Sequence, residues 1–121
     1  MTNILVVEDE INQALLYKNE LTAEGYNVLV ARDVREAITM TKLNPPDLVV
    51  LGINMPGMDG IEAVGKILGE NNRIPLIINT AYSSFKDNFV TWLTDAYIVK
   101  SADLSELKKT IKELLGKRKA K

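Results

Sequence analysis

The chain contains no cysteine and no histidine among its 121 residues. The first absence excludes disulfides, thiolate catalysis and thiolate metal sites, and it suits a reducing cytosol. The second excludes histidine as a general base, as a zinc ligand or as a phosphoryl carrier. Charge of one sign is lacking too: the formal net charge is −1, so no global field favours nucleic acid or an anionic membrane. No apolar run is long enough to span a bilayer, and Met1-Thr2-Asn3 leads straight into a strand-like segment with no signal-peptide pattern. A cytoplasmic location is expected. With 46% hydrophobic and 26% charged residues, the chain can build one soluble domain with a real core.

Short apolar runs alternate with helical patterns five times, and no linker-like stretch divides them. The runs are Ile4–Val7, Val28–Ala31, Leu48–Leu51, Leu76–Ile78 and Tyr97–Val99. Their near-continuous β-branched and leucine content suits parallel strands covered on both faces. Ile11, Ala14, Leu15 and Leu21 predict one helical stripe, closed by Gly25. Leu104, Leu107, Ile111, Leu114 and Leu115 predict another, closed by Gly116. Three D-x-x-E signatures mark helix starts: Asp33 with Glu36, Asp59 with Glu62, and Asp103 with Glu106. The pattern predicts an α/β fold with a five-stranded, doubly wound parallel sheet. The domain is expected over residues 1–116, followed by a basic tail over 117–121 that reads as a frayed, cation-rich helix end.

In such folds, sites lie outside the carboxyl ends of the strands. Those ends carry Glu8-Asp9, Gly52, Asn79-Thr80 and Lys100, and Met55-Pro56-Gly57-Met58-Asp59-Gly60 follows the third strand. Taken together and in this order, the acidic pair, the M-P-G-M-D-G loop, Thr80-Ala81 and the lysine resemble response-regulator receiver domains of bacterial two-component signalling, the chemotaxis-regulator type included. The resemblance covers almost the whole chain. It implies a flavodoxin-like receiver fold and a role in phosphorelay signal transduction.

The resemblance also implies roles for single residues. Glu8, Asp9 and the backbone carbonyl of Asn54 correspond to the ligands of a magnesium ion. Hard oxygen donors suit that cation, which would neutralise phosphoryl oxygens while an aspartate attacks in line. Lys100 would face those oxygens as a point charge, and the Thr80 hydroxyl would donate to them. Tyr97 falls where the family carries its aromatic switch. On activation Thr80 moves toward the phosphoryl group and Tyr97 turns inward, which alters the partner face made by the family's fourth helix, fifth strand and fifth helix.

Two positions depart from the family. Gly52 stands where the phosphoaccepting aspartate belongs, so covalent chemistry is lost and the magnesium site is weakened by one carboxylate. Ser101 stands where a proline with a cis bond usually follows the lysine; a non-proline cis bond costs about 2.5–4 kcal/mol. Glycine at a strand end costs roughly 0.5–1 kcal/mol against alanine, but removing one of three crowded carboxylates relaxes their repulsion. The balance is expected to favour stability without metal.

Each residue also has a plainer reading. Glu8 and Asp9 alone would read as a helix N-cap ahead of Ile11, Thr80 as a strand end, Asn54 as a turn former, and Met55, Met58 and Trp92 as packing residues. Tyr97 suits both core and switch. The functional expectation is a receiver module, not an enzyme, that works unphosphorylated through protein–protein contact. A sensor histidine kinase or another signalling protein is its expected partner. An ordinary regulator carrying a substitution at Gly52, or a receiver from a larger DNA-binding regulator, are the alternatives. A haloacid-dehalogenase-type phosphatase fails for want of a nucleophile and of room for a cap domain. No direct nucleic-acid contact is expected, and the chain should be a monomer or a weak dimer through the family's partner face.

Overall fold

The computed structural model describes residues 2–52, 74–80, 96–99 and 103–119. In chain order the elements are β1 (Asn3–Val7), α1 (Ile11–Ala23), β2 (Asn27–Ala31), α2 (Val34–Leu43), β3 (Leu48–Leu51), β4 (Leu76–Thr80), β5 (Ala96–Val99) and α3 (Ser105–Lys119). All five expected strands are present and parallel, in the order β2-β1-β3-β4-β5. Several run one or two residues beyond the apolar runs, because polar residues complete the ladder. Asn3 pairs with Asn27 in the register of β1 and β2, and the Asn27 side-chain amide donates to Asn3 Oδ1 at 2.7 Å. The Asn3 N–H donates to Asp47 Oδ2 at 2.7 Å.

Residues on each strand alternate between two apolar layers. Ile4, Val6, Leu48, Val50 and Ile77 pack with Tyr17 and Leu21 of α1 and with Leu107, Ile111 and Leu115 of α3. Leu5, Val7, Val49, Leu51 and Leu76 pack on the other side with Ala31 and with Ala37 of α2. Ile4, Leu5, Val6 and Val7 are all buried, as expected of a central parallel strand covered on both faces.

The helices correct three expectations. α1 buries Ala14, Tyr17 and Leu21, while Ile11 and Leu15 are 65% and 52% exposed. Tyr17, spaced three and four residues from Ala14 and Leu21, completes the inner stripe, which turns Ile11 and Leu15 outward. The N-cap of α1 is Glu10, whose carboxylate accepts from the N–H groups of Asn12 and Gln13, so neither Glu8 nor Asp9 serves there. α3 does not close at Gly116 but runs on to Lys119. The only described glycine with positive φ is Gly25 (φ 96°), which does end α1 as expected. At the start of α3, Asp103 accepts from the Ser105 N–H and hydroxyl at 2.9 and 2.6 Å, and Glu106 lies in the first turn. The Asp33 cap holds as expected, accepting from the Glu36 N–H at 2.8 Å. Asp59 and Glu62 lie outside the described residues.

Two measurements follow from these helices. The Thr41 hydroxyl on α2 is buried, with the residue 2% exposed, and it has no hydrogen-bond partner. Thr41→Val keeps the shape and removes the orphan group, so urea unfolding should show a gain of about 1 kcal/mol. The Ser105 hydroxyl and N–H hold the Asp103 carboxyl below the usual carboxylate value. A lowered folded pKa means that this contribution is present above the unfolded pKa and fades as pH falls through the folded one. Ser105→Ala should therefore raise the Asp103 pKa in an NMR titration.

Candidate functional site

The strand order fixes where the site can be. The chain leaves β1 toward β2 and then crosses back to β3, so the order reverses between β1 and β3. Ligand crevices form outside the carboxyl ends of strands at such a point. The residues that emerge there are Glu8 and Asp9 after β1 and Gly52 after β3.

Backbone pairing brings them side by side. The Gly52 N–H donates to the Val7 carbonyl at 2.7 Å, continuing the register in which Val7 faces Leu51. The Glu8 N–H donates to the Ala31 carbonyl at 2.9 Å, which ties the same corner to β2. Glu8 is 1% exposed, and its Oε2 accepts from the Glu10 N–H at 3.2 Å. Asp9 is exposed. A Cβ on residue 52 would stand 2.9 Å from Glu8 Oε1 and 3.5 Å from the Val7 carbonyl oxygen. The glycine therefore permits a close approach that a side chain would disturb.

The sheet also places two of the other expected residues. Thr80 ends β4 opposite Val99, and Tyr97 lies on β5 opposite Ile78. Both strands end on the same edge as Glu8 and Gly52. Asn54, Lys100, Ser101, Met55, Met58 and Trp92 lie outside the described residues.

Beside this corner lies a feature the sequence reading missed. A cavity of about 220 Å³ is lined by Ile11, Ala14, Leu15 and Lys18 of α1, by Val30 and Arg32, and by Glu8 and Asp9. Ile11, Leu15 and Lys18 follow one another at helical spacing, so one face of α1 presents exposed apolar side chains next to a cation. The signal was present in Tyr17: once it joins Ala14 and Leu21 inside, Ile11 and Leu15 must face outward.

The donor chemistry suits a hard divalent cation, since Glu8 and Asp9 offer carboxylate oxygens and Mg²⁺ is held by one or two carboxylates with several waters. Among the described residues no group of three acidic side chains gathers as a metal cluster. Residues that fit such an ion are Glu8 and Asp9, and it would supply charge neutralisation for bound anions.

The fold and this corner define a doubly wound α/β module with an acidic pair at its topological switch point. The chain belongs to the response regulator receiver domain family, whose model matches residues 4–112. It is 36% identical over its full length to the response regulator ArlR of Staphylococcus aureus, covering 56% of that protein. It is 35% identical to the transcriptional regulatory protein ZraR of Escherichia coli, over 94% of this chain and 26% of that one. The chain thus spans about a quarter to just over half of the length of these curated relatives. Among solved structures it is similar to the response regulator TrrA from Thermotoga maritima in complex with Mg²⁺-BeF. That likeness has 40% identity and a TM-score of 0.86, over 94% of this chain and 99% of that one. A crystal structure of histidine kinase ThkA in complex with TrrA matches with 41% identity and a TM-score of 0.85, over 95% of this chain and 99% of the matched one. The chain is a two-component response regulator receiver domain.

Introducing a carboxylate at position 52 should crowd three acidic groups at one corner. Gly52→Asp is therefore expected to melt several degrees lower than the glycine-bearing chain in EDTA, with excess Mg²⁺ recovering much of the loss. Calorimetry at neutral pH measures both.

Proposed function

We propose that this receiver lacks its phosphoacceptor and acts through protein–protein contact in an unphosphorylated state, with a sensor histidine kinase or a related signalling protein as partner. The observation that carries this reading is the corner itself. The Gly52 N–H bonds to the Val7 carbonyl, and the nearest side-chain atoms to its missing Cβ are those of Glu8. No carboxylate at residue 52 is available to attack a phosphoryl group. The module is thus a binding partner and not an enzyme. Its magnesium site, built on Glu8 and Asp9, is weaker than one with three carboxylates.

The docking half of the proposal draws on α1. Ile11, Leu15 and Leu16 are exposed there, and Lys18 and Arg32 flank them at the cavity. Among the described residues neither cation has an ion-pair partner. Exposed apolar side chains rimmed by charge mark contact surfaces. The solved kinase–regulator complex of a relative supports a kinase as the occupant. A second reading has its own support: the closest contacts of a Cβ at 52 are the end of the Glu8 side chain and an ordinary one with the Val7 carbonyl, so an ordinary regulator could carry this glycine as a substitution.

Incubation with acetyl phosphate and Mg²⁺, followed by intact-mass measurement, tests the first claim. The chain with Gly52 should gain no phosphoryl group, whereas Gly52→Asp should gain one; a gain by the chain with Gly52 refutes the proposal. Calorimetric titration with a kinase phosphotransfer domain in EDTA tests the second. Leu15→Glu should weaken docking by about tenfold or more, as loss of a central apolar anchor does.

A further inference from the structure

β2 stands at one edge of the sheet, with β1 as its neighbour. The Asn27 N–H donates to the Thr2 carbonyl at 2.8 Å, and the Ala31 carbonyl accepts from the Glu8 N–H at 2.9 Å. Backbone groups alternate in direction along a parallel strand. Asn27, Leu29 and Ala31 therefore face β1, while Val28 and Val30 turn their N–H and C=O groups outward. Among the described residues nothing hydrogen-bonds to those outward groups. Native sheets commonly guard such an edge with charge or proline, and the strand Asn27-Val28-Leu29-Val30-Ala31 has neither. Val28 and Val30 pack on the α1 side of the sheet, and Val30 lines the cavity with Ile11, Ala14, Leu15 and Lys18. Open edge and cavity thus lie side by side. A chain laid along β2 would turn every second side chain toward the cavity.

We infer that β2 accepts an added strand: an extended peptide segment whose apolar side chain enters the cavity and whose acidic side chain, two residues away, meets Lys18. The outward backbone groups supply hydrogen bonds and the cavity selects side chains, as in strand addition generally. Charge decides the occupant. Lys18 is exposed and has no ion-pair partner among the described residues. It lies about 10 Å along α1 from Ile11. Glu8, Asp9 and Arg32 gather at the other end of the cavity, where β1 and β2 finish. Lys18 is thus the cation that an acid can meet without repulsion. A second copy would offer a β2 with no acidic residue and leave Lys18 unmatched, which favours an acidic partner segment. The inference goes beyond kinase docking and does not require it.

Fluorescence anisotropy with a labelled, end-blocked peptide tests this. In the peptide, isoleucine and glutamate stand two apart among threonines, and both orders are made because an added strand can run either way. One order should bind saturably; binding by neither overturns the inference. Val30→Pro removes an outward N–H and leaves the ladder to β1 intact. That variant, shown folded by circular dichroism, should bind about tenfold more weakly. Unchanged affinity there overturns the inference too. Lys18→Glu gives a second decision at an exposed helix position: binding should fall about threefold or more, and a peptide with lysine in place of glutamate should now bind better. Without that reversal the acidic segment is the wrong occupant. Sedimentation of the chain without peptide covers the other occupant. A dimer that Val30→Pro dissociates assigns the edge to a second copy and overturns the peptide assignment.

Discussion

The hydrogen bond from the Gly52 N–H to the Val7 carbonyl, 2.7 Å long, is the constraint on which the site depends. It extends the parallel pairing of β1 and β3 by one residue beyond Leu51 and sets Glu8 beside Gly52 at the reversal of strand order. The bond is made by backbone atoms alone. A side chain at 52 is therefore not needed to hold the corner together, and the chemistry of that position can change while the fold persists. The buried residues before it on both strands, Val7 and Leu51, belong to one apolar cluster and fix the pairing from behind.

α1 carries two roles on opposite faces. Its inner stripe joins the cluster that also holds Leu107 and Ile111 of α3, so the helix is seated by apolar contact. The ion pairs between Glu20 and Lys108 at 2.9 Å and between Glu24 and Lys112 at 3.6 Å link the same two helices, but both are partly exposed and add little. The hydrogen bond to Glu20 holds the Lys108 ammonium above its ordinary pKa. With the inner face occupied in this way, the outer face is free to present Ile11 and Leu15 as a rigid ledge beside the acidic corner.

The strands were legible because parallel strands buried on both faces need unbroken β-branched and leucine runs, and Ile4–Val7 and Leu48–Leu51 have them. Their polar ends were not, since Asn3 and Asn27 join the sheet through side-chain bonds that composition does not announce. The face of α1 was misread because Ile11 and Leu15 outweigh Ala14 in hydrophobicity, while the amphipathic Tyr17 went uncounted. Gly116 looked like a helix end, yet a glycine terminates a helix through positive φ and not by its presence. The acidic pair and the glycine could be found in the sequence. The approach of Glu8 to the Gly52 gap could not, because it depends on a register that only the paired strands define.

That approach bears on what the glycine means. Had residue 52 merely lost its side chain, the corner would hold a void beside two carboxylates, and a void gives up contacts on one side. Here the tip of Glu8 stands against the gap, with Oε1 2.9 Å from where a Cβ would be. What this arrangement gives up is transferability: a carboxylate reaching over from β1, buried and held by the Glu10 N–H, is not the exposed nucleophile that in-line attack needs. A corner built in this way holds negative charge, but Gly52 itself has no carboxylate with which to accept a phosphoryl group. Under the proposed function the signal is read from the surface, and the exposed Ile11 and Leu15 on the face of α1 beside this corner suit a partner.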